Sequence, residues 1–173
     1  MRFWGHFGEK WSKVEEQGID VEKGEDMQPL ALLGSHTLKL DDKGRFIIPA
    51  KLRDSFAGGL VITKGQEKCL YVFSVEEFNS LFEKLRQAPL SNAGSREYLR
   101  VFLAGASQDQ PDKQNRVNIP AGLRDWANLD KDLVINGAGN HAEIWNQADW
   151  IAYEQKAAEN FSSIQEEVIP GLF

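Results

Sequence analysis

Asp41-Asp42-Lys43-Gly44-Arg45-Phe46-Ile47-Ile48-Pro49-Ala50-Lys51-Leu52-Arg53-Asp54 returns 71 residues later as Asp112-Lys113-Gln114-Asn115-Arg116-Val117-Asn118-Ile119-Pro120-Ala121-Gly122-Leu123-Arg124-Asp125. Eight of the fourteen positions are identical, in the order Asp-x-x-x-Arg, a hydrophobic strand, Pro-Ala, then Leu-Arg-Asp. The correspondence extends outward on both sides. Leu33-Gly34 answers Ala104-Gly105, Leu60-Val61-Ile62 answers Leu133-Val134-Ile135, Tyr71 to Ser74 answers Glu143 to Asn146, and Glu77-Phe78 answers Asp149-Trp150. Spacers differ by one or two residues, as loops tolerate. Each copy spans about 50 residues, too few to bury a core comfortably alone. Two fused copies are therefore expected to share one core, which oligomerisation would extend.

A chain of 173 residues, 42% hydrophobic and 27% charged, reads as one compact soluble domain with tails. No apolar run reaches the ~18 residues needed to span a bilayer, so no membrane partner is expected. The N-terminus lacks the continuous apolar stretch of a signal peptide. The single cysteine, Cys69, excludes an intramolecular disulfide, suits a reducing cytoplasm, and reads as a small buried hydrophobe on a strand. Net charge is −6, against a nucleic-acid ligand at first sight, but its distribution is uneven. Residues 1–33 carry four basic and seven acidic side chains, and residues 149–173 one basic and five acidic. The middle is left at +1, and Lys39 to Arg53 holds five basic residues against Asp41 and Asp42.

Alternation in Thr37-Leu38-Lys39-Leu40, a turn at Asp42-Lys43-Gly44 and Arg45 to Ile48 beyond it predict a hairpin or tight strand-turn-strand. Gly44 supplies the positive φ of such a turn, and Asn115 stands in its place in the second copy. Pro49 ends the strand, and Ala50 to Phe56 predicts a helical turn. Strands follow near 60–63, 69–73, 132–136 and 142–146. Ser74 with Glu77 forms a capping box for a helix carrying Phe78, Leu81, Phe82 and Leu85, closed by Pro89. A further helix is expected at about 95–104. Asn146 caps the last helix, whose expected buried stripe is Trp150, Tyr153, Ala157 and Phe161.

Asp41 and Asp112 are expected to stabilise their turns by accepting backbone N–H groups, with Arg45 and Arg116 paired across them. Lys43 and Arg45 at a turn tip would equally present cations to phosphates or to guanine O6 and N7, which the planar arginine fork meets with two bonds. An enzyme is the weaker reading: His6, His36 and His141 lie far apart, and no metal-binding pair, phosphate loop or nucleophile elbow occurs. No catalytic residue, metal or cofactor is assigned.

Gly34-Ser35-His36-Thr37, Leu40 to Arg45, Ile48 to Arg53 and the second Asp112-x-x-x-Arg116 resemble the MraZ family of bacterial transcriptional regulators, over about 33–173. The resemblance implies an α+β fold in which tandem SpoVT-AbrB modules, at 34–77 and 105–149, form an intertwined, swapped-hairpin, double-psi-like β-barrel with packed helices. Linking helices would occupy 78–104, and a C-terminal helix and tail 150–173. It further implies a repressor in the cytoplasm and nucleoid, a ring-shaped homo-oligomer whose partner is double-stranded DNA carrying short direct repeats upstream of its own gene. Arg45 and Lys43 rank first as DNA contacts and Arg116 second, with Lys113, Lys39, Lys51 and Arg53 as phosphate contacts. Gly44 and Asn115 join Asp41 and Asp112 as turn residues. The second copy departs from the family pattern, with Gln114 for the lysine, Asn115 for the glycine and Asn118 for a strand hydrophobe, so it would bind less strongly or do more structural work. Arg53 and Arg124 recur, each before an aspartate with which it could form a surface ion pair.

Residues 1–29 read as a flexible extension, rich in glycine and mixed charge. Because the resemblance starts near residue 30, this stretch could also be the gene's upstream region read as protein. Trp4 and Trp11, each with the single codon TGG, lie seven codons apart, close to two helical turns of DNA. The competing class is a protein-interaction or antitoxin module, as AbrB-like folds provide, docking through the apolar segment Phe161 to Phe173.

Overall fold

The computed structural model describes residues 31–164, 168 and 169. The extension expected at 1–29, with its tryptophan spacing, and parts of the C-terminal tail lie outside the described residues. Copy one contributes β1 (Ser35–Lys39), β2 (Arg45–Ile47), short 3-10 turns at Ala50–Leu52 and Asp54–Phe56, β3 (Leu60–Lys64) and β4 (Leu70–Ser74). The helices α1 (Val75–Leu85) and α2 (Ala93–Ala104) follow. Copy two repeats the order as β5 (Ser107–Asp109), β6 (Arg116–Asn118), α3 (Ala121–Trp126), β7 (Asp132–Gly137), β8 (Ala142–Asn146) and α4 (Gln147–Ser163). Pro49 and Pro120, at φ −54° and −53°, stand just before the turn and the helix that follow each short strand. Lacking an N–H, each ends its ladder and sets the entry angle. Three helices start on side-chain caps: Ser74 Oγ accepts from Glu77 N at 3.1 Å, Asn92 Oδ1 from Ser95 N at 3.1 Å, and Asn146 Oδ1 from Ala148 N at 2.8 Å.

The sheet order shows how the copies combine. Six antiparallel strands run β1-β7-β8-β4-β3-β5, and β2 pairs with β6 in a separate two-stranded ribbon. Exchanging each strand for its counterpart in the other copy reverses the six-strand order onto itself. The register obeys the same exchange. Phe46 faces its counterpart Val117 at the middle of the ribbon, and Tyr71 faces Glu143 at the middle of the sheet. Each copy also lends its first strand to the other: β1 pairs with β7, and β5 with β3. The hairpin expected over 37–48 is thus corrected. Its turn forms, with Asp41 N on Arg45 O at 2.8 Å and Gly44 N on Asp41 O at 2.9 Å, but β1 and β2 leave it for different partners.

One hydrophobic core lies between ribbon and sheet. Phe46, Ile48, Val117 and Ile119 pack into the same cluster as Leu60, Ile62, Leu70, Val72, Leu133, Ile135 and Ile144. All eleven are nearly fully buried, and each contributes about 1.5–3 kcal/mol by leaving water. Neither copy could supply this set alone, which is the physical reason for the repeat.

The other sheet face carries Val61, Thr63, Phe73, Val134 and Trp145, against which the helices pack. Phe73, Phe78 and Phe102 form one aromatic group, with Phe78 and Phe102 stacked at 6.3 Å, and Trp145, Trp150 and Tyr153 another. The stripe expected to be buried on α4 is corrected: Trp150 is half-buried, but Tyr153 is 43% exposed and Phe161 80%. Seventeen residues make a helix of about 25 Å, long enough for its last turns to run past the sheet.

Candidate nucleic-acid interface

The ribbon is where the two repeated motifs meet. Each Asp-x-x-x-Arg segment is a tight turn closed by its own aspartate. Asp41 Oδ1 accepts from Lys43 N at 2.9 Å and Arg45 N at 2.8 Å, and Asp112 Oδ1 from Gln114 N at 2.8 Å and Arg116 N at 3.0 Å. The second oxygen holds the arginine: Arg45 meets Asp41 Oδ2 through Nε at 2.8 Å and Nη2 at 2.7 Å, and Arg116 Nε meets Asp112 Oδ2 at 2.7 Å. These bonds favour the ionised carboxylates. The Arg116 backbone and side-chain donors hold the Asp112 carboxyl down at about 2. At Asp41 the Arg45 side chain lowers the pKa most, followed by its backbone N–H.

Both turns use positive φ, +76° at Gly44 and +57° at Asn115, conformations that glycine and asparagine reach most easily. Their carbonyls extend the ribbon symmetrically, Gly44 O accepting from Ile119 N at 2.8 Å and Asn115 O from Ile48 N at 2.9 Å. Because β2 and β6 are antiparallel, the turns sit at opposite ends of the ribbon. Lys43 and Lys113 are exposed, one at each end.

Strand alternation then sorts the ribbon's side chains. Phe46 and Val117 point into the core, so Arg45, Ile47, Arg116 and Asn118 share the outward face. Arg45 lies opposite Asn118, and Ile47 opposite Arg116. The arginines are therefore diagonal neighbours, about 7–8 Å apart at the backbone. A guanidinium has five N–H donors, of which each aspartate occupies one or two, so both arginines keep donors for an outside acceptor.

The remaining cations divide. Lys51 is exposed just after Pro49, beside the copy-two turn. Arg53 is half-buried and spends Nε on Ile48 O at 3.1 Å. Lys39 belongs to the six-stranded sheet, where its ammonium pairs with Asp132. No ion pair links Arg53 to Asp54 or Arg124 to Asp125 among the described residues. Arg124 instead lies against Gly44, its Nε buried without a hydrogen-bond partner. Ile47 and Asn118 were not singled out as site residues from the sequence, although period-two counting from Arg45 and Arg116 places them on the same face.

Elsewhere, His141 Nε2 stands 3.7 Å from Glu143 and its ring stacks on Phe73. Among the described residues no group of three or more His, Cys, Asp or Glu could hold a metal, and no helix is long and apolar enough to cross a membrane.

Comparison with known proteins agrees with the internal repeat. Residues 31–101 and 102–170 each match the family described as "MraZ protein, putative antitoxin-like". A protein of Leifsonia xyli subsp. xyli named "Transcriptional regulator MraZ" is 57% identical over 141 residues, covering 82% of this chain and 99% of its own length. Relatives of the same name from Kocuria rhizophila and Clavibacter michiganensis subsp. michiganensis are 56% and 50% identical over the same shares. Two tandem matches spanning most of the chain, and relatives at this identity over nearly their whole length, show that the chain belongs to the MraZ family.

Proposed function

We propose that this protein is a sequence-specific DNA-binding transcriptional repressor, acting without cofactor or catalysis. The observation that carries the reading is the common outward face of Arg45 and Arg116 on a two-stranded antiparallel ribbon. A B-DNA major groove about 12 Å wide admits such a ribbon, and arginine bonded to guanine O6 and N7 is the commonest base-specific contact. Asp41 and Asp112 hold the arginines in place before DNA arrives, so less side-chain freedom is lost on binding. Lys43 and Lys113 at the ribbon ends, with Lys51, supply phosphate contacts. Arg53 and Lys39 rank lower, their charges being engaged within the chain. The name of the relatives, transcriptional regulator, supports the same reading.

Ribbon and sheet together form the proposed barrel, of swapped-hairpin type, supported by their single shared core. One ribbon offers few base contacts, each worth roughly 1–3 kcal/mol. Several copies in a ring, engaging direct repeats upstream of the protein's own gene, would multiply them through effective concentration. The site of action is the cytoplasm and nucleoid. Exposed apolar side chains on the helices, including Leu90, Val101, Ile151 and Phe161, fit contacts between copies. They also sustain the second reading, an antitoxin-like module that holds a different protein.

Binding of the full chain to a duplex of its own upstream region, against scrambled DNA across a salt series, tests the proposal. Preference for the upstream duplex, lost in Arg45→Ala, is the expected result, with Arg116→Ala reporting on copy two. Equal affinity for scrambled DNA, together with recovery of a protein partner at fixed stoichiometry, would favour the second reading.

A further inference from the structure

The outward face of the ribbon is not symmetric, although its backbone is. Position 47 and its counterpart 118 occupy equivalent places, yet one is isoleucine and the other asparagine. Ile47 is 53% exposed, opposite Arg116, and Asn118 is exposed, opposite Arg45. Two residues of strand cover about 6.6 Å, close to two base-pair steps of about 3.4 Å on one DNA strand. A ribbon seated with its arginines on base edges therefore carries these two side chains onto neighbouring base pairs of the same groove. Their chemistries differ. A branched aliphatic group has one apolar target in the major groove, the C5-methyl of thymine, whereas a carboxamide pairs with adenine N6 and N7.

We propose that Ile47 and Asn118 are specificity-determining residues, Ile47 reading a thymine methyl and Asn118 an adenine edge, so that the two halves of the ribbon read different base pairs. The proposal rests on the DNA-binding reading above and adds a direction to it. The recognised sequence is not a palindrome, and each chain has one preferred orientation on the duplex. That Asn118 N donates to Asp109 Oδ2 at 3.0 Å fixes the strand at this residue while leaving its side chain unspent.

The test uses the full chain and duplexes of its upstream region in which thymines are replaced singly by uracil, removing only the methyl, or adenines singly by 7-deazaadenine, removing only N7. At one or more positions uracil is expected to weaken wild-type binding about fourfold, the value of one buried methyl-sized group. Ile47→Ala should bind the thymine duplex correspondingly less well and be indifferent to uracil there. At an adenine, 7-deazaadenine should weaken wild type by roughly tenfold and leave Asn118→Ala unaffected. Both side chains are exposed, and unchanged melting of the variants checks that they fold. Uracil sensitivity nowhere, or undiminished in Ile47→Ala, overturns the thymine assignment. The same pattern with 7-deazaadenine and Asn118→Ala overturns the adenine assignment. If these fail while Arg45→Ala still abolishes binding, this inference alone falls. If Arg45→Ala and Arg116→Ala both bind like wild type, the ribbon reading falls with it.

Discussion

The guanidinium of Arg124, from copy two, lies where a side chain on Gly44, from copy one, would begin: a Cβ there would stand 2.9 Å from Arg124 Cζ and 3.0 Å from Nε. The ribbon brings this about, because Ile119 N bonds to Gly44 O and so lays the start of α3 against the copy-one turn. Position 44 is thus constrained twice, by φ of +76° and by a neighbour from the other repeat.

Gly44→Ala is expected to destabilise the protein by about 1–2 kcal/mol from the left-handed backbone alone, with the displacement of Arg124 added. Urea unfolding of Gly44→Ala, Arg124→Ala and the double variant measures the two parts. A double variant less destabilised than the sum of the singles shows the contact, since neighbours couple and distant sites add. Asn115→Gly, which keeps the positive φ, should fold normally.

Acid should loosen the turns in a defined window. The folded-state pKa of Asp112 is lowered to about 2, so its bonds to Arg116 contribute stability above the unfolded carboxyl value of about 3.9, and that contribution is lost as pH falls toward 2. Asp41 shifts in the same direction, chiefly through the Arg45 side chain. Carboxyl carbon shifts followed by NMR should titrate late for Asp112, and Asp112→Asn should remove that part of the pH dependence. A normal titration midpoint would mean that the turn is not held this way in solution.

Thr63 is fully buried, its hydroxyl donating to Phe102 O at 2.5 Å and so tying β3 to the last turns of α2. Thr63→Val keeps the shape but leaves that carbonyl without its partner, at a cost of roughly 1–3 kcal/mol. Thr63→Ser, which restores the hydroxyl, should recover the hydrogen-bonding part. Chemical denaturation of the pair separates packing from hydrogen bonding.

Cys69 is fully buried, and burial pushes its thiol up to about 12. At neutral pH it is the protonated, unreactive form. A thiol reagent such as DTNB should label the native chain far more slowly than the denatured chain, and rapid native labelling would contradict the burial.

What could be read from the chain alone was local. The repeat, the turns at Asp41 and Asp112, the stops at Pro49 and Pro120 and the caps at Ser74 and Asn146 all depend on residues within a few positions of each other. Pairing was not legible in the same way. Nothing near Arg45 tells that β2 will choose β6 over its own neighbour β1, because that choice is made by a core to which Phe46 and Val117 contribute from 71 residues apart. The same distance hid Arg124 behind Gly44. On α4, the apolar period promised a buried stripe, but periodicity reports which side of a helix is greasy and not whether anything covers it. Ile47 and Asn118 were within reach, since alternation from the motif arginines marks them.

The exchange of strands between copies has a consequence in mass action. When two separate chains build a shared ribbon, the ribbon dissolves on dilution, and its abundance falls with the square of chain concentration. Here the partner of β2 is covalently attached, so the pairing with β6 is unimolecular and persists however scarce the protein becomes. Only contacts between whole chains remain subject to dilution, which leaves assembly as the step at which the cell's protein level can act.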